Sequence, residues 1–212
     1  MEFVTYSHQF AQEVLDTPAR RPLMDEIVDV LTEITDEDLM STFRLTSTGM
    51  SLSKSINALI RRGLVARGWT PEPPIFQSSA YQDKRWRLDF AKESVSVEVA
   101  FNHGEAIAWN LLKPVLASQL NHVQKAITTE VGVIICATKS LKAAGLFDKA
   151  VGEYEKFLRY LTPLQAVLPT PLLIVGLQSP RSFTIRGSKV GSTTVGRIEV
   201  IGDPPGSSSQ GS

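Results

Sequence analysis

The sequence predicts an α/β (α+β) fold in which a central mixed β-sheet is flanked by helices. Two apolar runs, VGVIICA at residues 131–137 and PLLIVGL at residues 171–177, are typical of short strands that are buried on both faces. Residues 86–105 contain an alternating pattern that indicates a half-buried hairpin. Since helical patterns precede and separate these strands, a layered sheet-and-helix architecture is expected.

Four segments predict helices because their apolar residues recur at helical spacing: residues 20–34, 53–68, 106–123 and 147–161. We expect the second helix to be capped by Ser51 or Ser53 and to end at Gly68. Pro114 should kink or break the third helix. The weak alternation of residues 182–201 predicts an additional edge hairpin.

Length and composition favour one globular domain over residues 1–202, followed by a disordered tail at 203–212 that is rich in Pro, Gly and Ser. Lys plus Arg and Asp plus Glu number 22 each. This balance argues against a polybasic membrane binder or a purely electrostatic coat for nucleic acid, but it allows a local basic cleft.

The single cysteine, Cys136, excludes an internal disulfide. With no signal peptide and no apolar run long enough to span a bilayer, a cytoplasmic protein is expected.

The hairpin places two acidic residues opposite each other. If its turn is centred on Glu93 and Ser94, Asp89 faces Glu98 across the two strands, and both side chains lie on the same face. Directly opposed residues have Cβ atoms about 4.5–5.5 Å apart. The two carboxylates are therefore expected to converge.

Converging carboxylates repel each other unless a positive charge neutralises them. A divalent cation does so, and Mg²⁺ is commonly held by one or two carboxylates together with phosphate oxygens and waters. Many metal-dependent nucleases carry Asp followed, after a gap, by Glu-x-Lys, Glu-x-Gln or Glu-x-Glu, in which the last side chain orients the attacking water. In this chain the corresponding positions are Asp89, Glu98 and Ala100.

Two other interpretations of the acidic pair remain open at this point. Charged residues usually lie in water, so Asp89 and Glu98 could be the solvated face of an amphipathic hairpin. Two carboxyl groups about 5 Å apart could also serve a retaining glycosidase. However, Trp86 and Trp109 are the only tryptophans near the motif that could stack on a sugar.

Several segments, in order along the chain, resemble the BglII-type restriction endonucleases of the PD-(D/E)xK superfamily. They are YSH at residues 6–8, RGW at 67–69, LDFAKESVSVEVAF at 88–101, VGVIICATK at 131–139, EYEKF at 153–157 and PLLIVGL at 171–177. The resemblance implies a restriction-endonuclease-like fold and a homodimer that surrounds palindromic double-stranded DNA. It also implies that each strand is cut with Mg²⁺ as cofactor.

Site residues follow from this resemblance by position. Asp89 and Glu98 would be metal ligands, and Glu72 falls where the family has a further polar residue of the active site. Asn102 and His103 follow the catalytic strand and would contact DNA. Five further residues fall in the family's DNA-contacting loops: Thr138, Lys139, Ser140, Asp148 and Lys149. The alternative for Glu72, His103 and Lys149 is an ordinary solvated side chain.

Ala100 departs from the family pattern, which has glutamine at this position. Alanine cannot orient or polarise water, and three explanations are considered. The chain could be an engineered inactive variant, which is the preferred explanation; it could be a natural protein that binds DNA without cutting it; or Glu72 or Lys84 could supply the missing group.

The predicted function is a type II restriction endonuclease, with a GATC-centred hexamer as the site that the resemblance suggests. The alternative is a catalytically silent, sequence-specific DNA-binding protein.

Overall fold

A computed structural model describes residues 1–45, 51–119, 123–190 and 193–202. The predicted disordered tail, residues 203–212, lies outside the described residues. None of the helices in the described part of the chain has the length and apolar character needed to cross a membrane.

The described residues form eight strands and seven α-helices. The strands are β1 (Phe3–His8), β2 (Thr70–Pro71), β3 (Phe90–Lys92), β4 (Val95–Ala100), β5 (Val131–Ala137), β6 (Leu172–Leu177), β7 (Phe183–Val190) and β8 (Thr193–Val200). The helices are α1 (Ala11–Leu15), α2 (Arg21–Glu33), α3 (Asp36–Leu45), α4 (Ser53–Ala66), α5 (Ile107–Ser118), α6 (Lys139–Ala144) and α7 (Tyr154–Leu164).

Six of the strands form one mixed sheet in the order β1-β6-β5-β4-β3-β2. Strands β4, β5 and β6 run parallel, whereas the β1–β6, β3–β4 and β2–β3 pairs are antiparallel. Because the carboxyl ends of the parallel strands share one edge of the sheet, the segments that follow β4 and β5 emerge side by side. The mixed sheet flanked by helices confirms the predicted fold class.

The sheet is covered on both faces, as the apolar runs predicted. Alternate residues of β5, such as Val133 and Ile135, join a large core with helices α1 to α4. The intervening residues, Ile134 and Cys136, pack with helices α5 and α7 on the other face. Glu98 and Ala100 of β4 point toward this second layer, because Ala100 belongs to the same cluster and residues two apart in a strand share a face. The functional residues of the hairpin therefore face helix α5.

Three sequence-based predictions differ from the structure. Residues 147–153 are not helical, and the predicted helix begins only at Tyr154, because Asp148 forms a turn through its side chain and Val151 bridges to His103. Strands β7 and β8 pair with each other as a separate two-stranded sheet instead of extending the main one. Neither Ser51 nor Ser53 is the N-cap residue of helix α4; Leu52 is, without a side-chain hydrogen bond. Gly68 follows this helix with φ of +81°, a conformation that glycine adopts readily.

Candidate active site

The hairpin has the register that the sequence predicts. Phe90 pairs with Val97 and Ala91 with Ser96, so the next step outward places Asp89 opposite Glu98. Asp89 Oδ2 accepts a hydrogen bond from the Val99 amide at 2.7 Å, and Glu98 Oε1 accepts one from the Asp89 amide at 3.3 Å. Each carboxylate is thus anchored to the backbone of the opposite strand.

A lysine from helix α5 meets both carboxylates. Lys113 Nζ forms an ion pair with Glu98 Oε2 and lies 4.0 Å from Asp89 Oδ1. The Glu98 side chain is only 1% exposed and that of Lys113 9%, whereas the Asp89 side chain is 40% exposed. The side chains of Glu98 and Lys113 are therefore shielded from solvent, whereas the Asp89 carboxylate is open to it.

Burial dominates the electrostatics of Glu98. Loss of solvation, followed by repulsion from Asp89, raises the pKa of Glu98 to about 8 from its ordinary value of 4.5, and Lys113 opposes this shift. An acid in such an environment ionises readily only if a further positive charge reaches it. The pair is therefore suited to receive a cation.

A glycine allows helix α5 to lie close to the sheet at this point. Pro114, the neighbour of Lys113, packs over Gly132 of strand β5, where an added Cβ would be 2.6 Å from the Pro114 Cβ. One turn earlier on the helix, buried Asn110 donates from Nδ2 to Asn102 Oδ1 at 2.9 Å. A single helix therefore positions both Lys113 and the amide group of Asn102.

Residue 100 contributes no functional group to the site. Ala100 is 2% exposed and packs with Ile107 and Leu111 of helix α5. The side chains of the two residues considered as substitutes, Glu72 and Lys84, are exposed, and in the described part of the chain neither side chain forms a hydrogen bond or ion pair with Asp89 or Glu98. The Glu72 carboxylate is 3.8 Å from Arg61 Nη1, and Lys84 lies in a short 3₁₀ turn. The Glu72 backbone nevertheless adjoins the site, because its amide donates to the Asp89 carbonyl.

Two predicted DNA-contacting segments are joined to each other. The carbonyl of Asn102 accepts from the Gly152 amide at 3.1 Å, the Gly104 amide donates to the Ala150 carbonyl, and His103 bridges to Val151. Asn102 and His103 are consequently next to the loop that carries Asp148 and Lys149, and all four side chains are exposed.

The loop itself is held by Lys142 of helix α6. Its ammonium group donates to the carbonyls of Lys149 and Val151 at 2.8 and 2.7 Å, and to Glu153 Oε2 at 2.8 Å. The Asp148 carboxylate accepts from the Ala150 amide at 2.7 Å. The conformation of the loop is thus fixed by protein contacts.

The other predicted DNA-contacting residues follow strand β5. Thr138 is buried, and its hydroxyl group donates to the Leu177 carbonyl at 2.7 Å and accepts from the Leu141 amide, so the structure gives it a capping role. Lys139 and Ser140 are exposed, although Ser140 also donates to Gln178 at 3.1 Å. They lie at the same edge of the sheet as Asn102 and His103.

Sequence reasoning missed Lys113 and Asn110. Lys113 is the only charged residue in the segment IAWNLLKPVLAS, and a lone charge within an apolar helix is a recognisable signal. Its partner could not be identified from spacing, however, because the contact depends on how helix α5 packs on the sheet.

The chain is similar to restriction endonucleases. The family model described as "Restriction endonuclease BglII/BglIII" matches residues 3–177. Among solved structures, restriction endonuclease BglII complexed with a DNA 16-mer matches at 18% identity with a TM-score of 0.66. Free BglII matches at 18% identity with a TM-score of 0.54. Both matches cover 95% of this chain and 100% of the other. No curated protein sequence matches the chain significantly.

Proposed function

We propose a specific reaction for this chain, which belongs to the restriction endonuclease BglII/BglIII family. It acts as a type II enzyme that hydrolyses phosphodiester bonds of double-stranded DNA at a short palindromic site. The observation that carries the proposal is the convergence of Asp89 and Glu98 on one cationic group at the edge of the sheet. This geometry makes the alternative of a merely solvated hairpin face untenable for Glu98, which is buried.

The two carboxylates fit a divalent cation, and Mg²⁺ is the proposed cofactor. Asp89 Oδ1 and Glu98 Oε2 are both directed at the ammonium group of Lys113, so the two carboxylates face the same positively charged position. Among the described residues no group of three or more His, Cys, Asp or Glu side chains is arranged to hold a metal ion, so phosphate oxygens and waters would complete the coordination, as is usual for Mg²⁺. When bound, the cation would polarise the scissile phosphate and lower the pKa of a bound water.

The residues of this chain would hold the DNA and the reacting groups. Asp89 and Glu98 would hold the cation, and the exposed side chains of Asn102, His103 and Lys149 would contact the DNA. An asparagine amide can pair with adenine, and lysine can donate to guanine. The position of Lys139 and Ser140 suits contacts to the DNA backbone.

A palindromic site requires two such surfaces related by a two-fold axis. We therefore propose a homodimer in which each protomer cuts one strand. The sequence resemblance favours a GATC-centred hexamer, and the DNA 16-mer in the BglII complex supports DNA as the substrate. Asp148, Lys149, Asn102 and His103 are proposed to decide which bases are accepted.

The experiment is digestion of a plasmid of known sequence by the purified protein with and without MgCl₂, followed by sequencing of the fragment ends. Discrete fragments that share a palindromic end sequence are the expected result. Asp89→Asn, which preserves the shape of the side chain, should abolish cutting. The matched control Asp29→Asn alters an exposed acid on helix α2 and should cut normally. Fragments that need no metal, or equal cutting by both variants, would contradict the proposal.

The second candidate is a silent protein that binds specific DNA without cutting it. Ala100 favours it, because alanine supplies no group that could act on water. The same digest distinguishes the two functions: this candidate predicts sequence-specific retention of DNA with no fragments under any metal tested.

A further inference from the structure

We infer that Lys113 is a catalytic residue that does, from helix α5, what a polar side chain at position 100 would do from strand β4. Its ammonium group donates hydrogen bonds to the attacking water and to the scissile phosphate. The inference rests on the proposed nuclease function and deepens it, since it assigns the group that the motif lacks.

The first argument is positional. Position 100 lies two residues after Glu98 on the same face of the strand, so a long side chain there would end beside the two carboxylates. Ala100 ends at its methyl group. Lys113 brings its ammonium group to both carboxylates from the facing helix. The charge therefore reaches the same place from a different element.

The second argument concerns what burial of this lysine achieves. A buried ion pair is often no more stabilising than apolar residues of similar volume, so stability alone does not account for a charged residue in this apolar helix. An ammonium group has three donors. The ion pair with Glu98 engages one of them. Asp89, whose Oδ1 is 4.0 Å from the ammonium group, is 40% exposed, so water and a phosphate can approach the ammonium group from that side.

The chemistry requires no change in the protonation of Lys113. The oxygen of water forms a bond to phosphorus, and the bond from phosphorus to one ester oxygen breaks with its electron pair. One water proton ends on the departing alcohol, and the other passes to solvent. Negative charge accumulates on the phosphate oxygens during this step, and a fixed cation stabilises it because the site needs no reorganisation.

The test compares Lys113→Met with Lys92→Met. Lys92 is also a partly buried lysine in an ion pair, with Nζ 2.7 Å from Glu26 Oε1, so its removal controls for the loss of a buried charge outside the site. Single-turnover cleavage is measured at rising Mg²⁺ until the rate no longer increases, and DNA affinity is measured separately with Ca²⁺ in place of Mg²⁺. Thermal unfolding of each variant defines a temperature at which both are folded.

At saturating Mg²⁺ we expect Lys113→Met to cleave about 10²–10³ times more slowly than the unmodified protein, because one donor to the developing charge is lost; DNA affinity should change less than about tenfold. Lys92→Met should cleave normally once folded. If the Lys113→Met rate recovers as Mg²⁺ saturates, Lys113 only balances the charge of Glu98 and the inference is wrong. If the unmodified protein itself binds DNA but never cuts, the proposed function fails and the inference fails with it. Cutting by the unmodified protein and by Lys113→Met at equal rates would overturn the inference alone.

Discussion

Replacing Gly132 by alanine should disturb catalysis from a residue that lies outside the charged site. The added Cβ would stand 2.6 Å from the Pro114 Cβ and 2.9 Å from Leu172 Cδ2. Carbon atoms prefer about 3.5–4.0 Å, so helix α5 must move by about 1 Å unless strand β6 gives way. Lys113 is adjacent to Pro114 and would move with it.

Two magnitudes follow from this displacement. Overpacking of a well-packed core typically costs about 1–3 kcal/mol in the free energy of unfolding. A misplacement of about 1 Å can reduce a rate by about a hundredfold. We therefore expect Gly132→Ala to lower both the stability in urea unfolding and the single-turnover cleavage rate at saturating Mg²⁺.

Gly63→Ala is the matched control. Its Cβ would lie 2.7 Å from Val30 Cγ1, so it also crowds a core, but between helices α2 and α4. Because alanine has a higher helix propensity than glycine, the substitution at this helical position also gains about 1 kcal/mol, which offsets part of the crowding. Gly63→Ala should be less destabilising and should keep its cleavage rate. If Gly132→Ala cuts as fast as the unmodified protein, contact with Gly132 does not set the position of Lys113, and the reasoning fails.

Three further outcomes are expected. Burial raises the pKa of Glu98 to about 8, so a cation that binds this carboxylate below pH 8 must displace a proton. Mg²⁺ affinity should therefore rise about tenfold per pH unit and level off above pH 8. Calorimetry in buffers of different ionisation enthalpy should detect the released proton, and binding without proton release would contradict this prediction. Burial raises the pKa of the Cys136 thiol, so thiol reagents at pH 8 should leave the native protein unmodified and label it promptly in denaturant. Asn110→Leu removes the donor that orients Asn102 and should reduce discrimination between cognate and single-substituted DNA sites more than it reduces non-specific binding, as measured by competition.

The hairpin was predictable because strand alternation and the turn position are local properties of the sequence. The pairing of Asp89 with Glu98 follows from them directly, and the two buried strands follow from uninterrupted apolar runs. The segment 147–153 was predicted incorrectly because its apolar spacing continues that of helix α7. In the structure, long-range pairing of Val151 with His103 overrides this local pattern.

Lys113 could not be predicted from local properties, because its role depends on the distance between helix α5 and the sheet. That distance in turn depends on Gly132, eighteen positions after Pro114 in the chain. Neither residue is informative alone: a glycine in a strand and a proline in a helix ordinarily indicate weakness in each element. Their contact is what makes both residues compatible with the fold.

The close approach of helix α5 also bears on why residue 100 is alanine. Ala100 is buried against Ile107 and Leu111 of the same helix that carries Lys113, so a long side chain at position 100 would compete with that helix for space. Ala100→Gln should therefore cost about 1–3 kcal/mol in urea unfolding through overpacking and should not increase the cleavage rate. An engineered inactive variant predicts the opposite, a large gain in cleavage with glutamine restored. A gain of a hundredfold or more would show that the site was built around a side chain at position 100, and that Lys113 does not replace it.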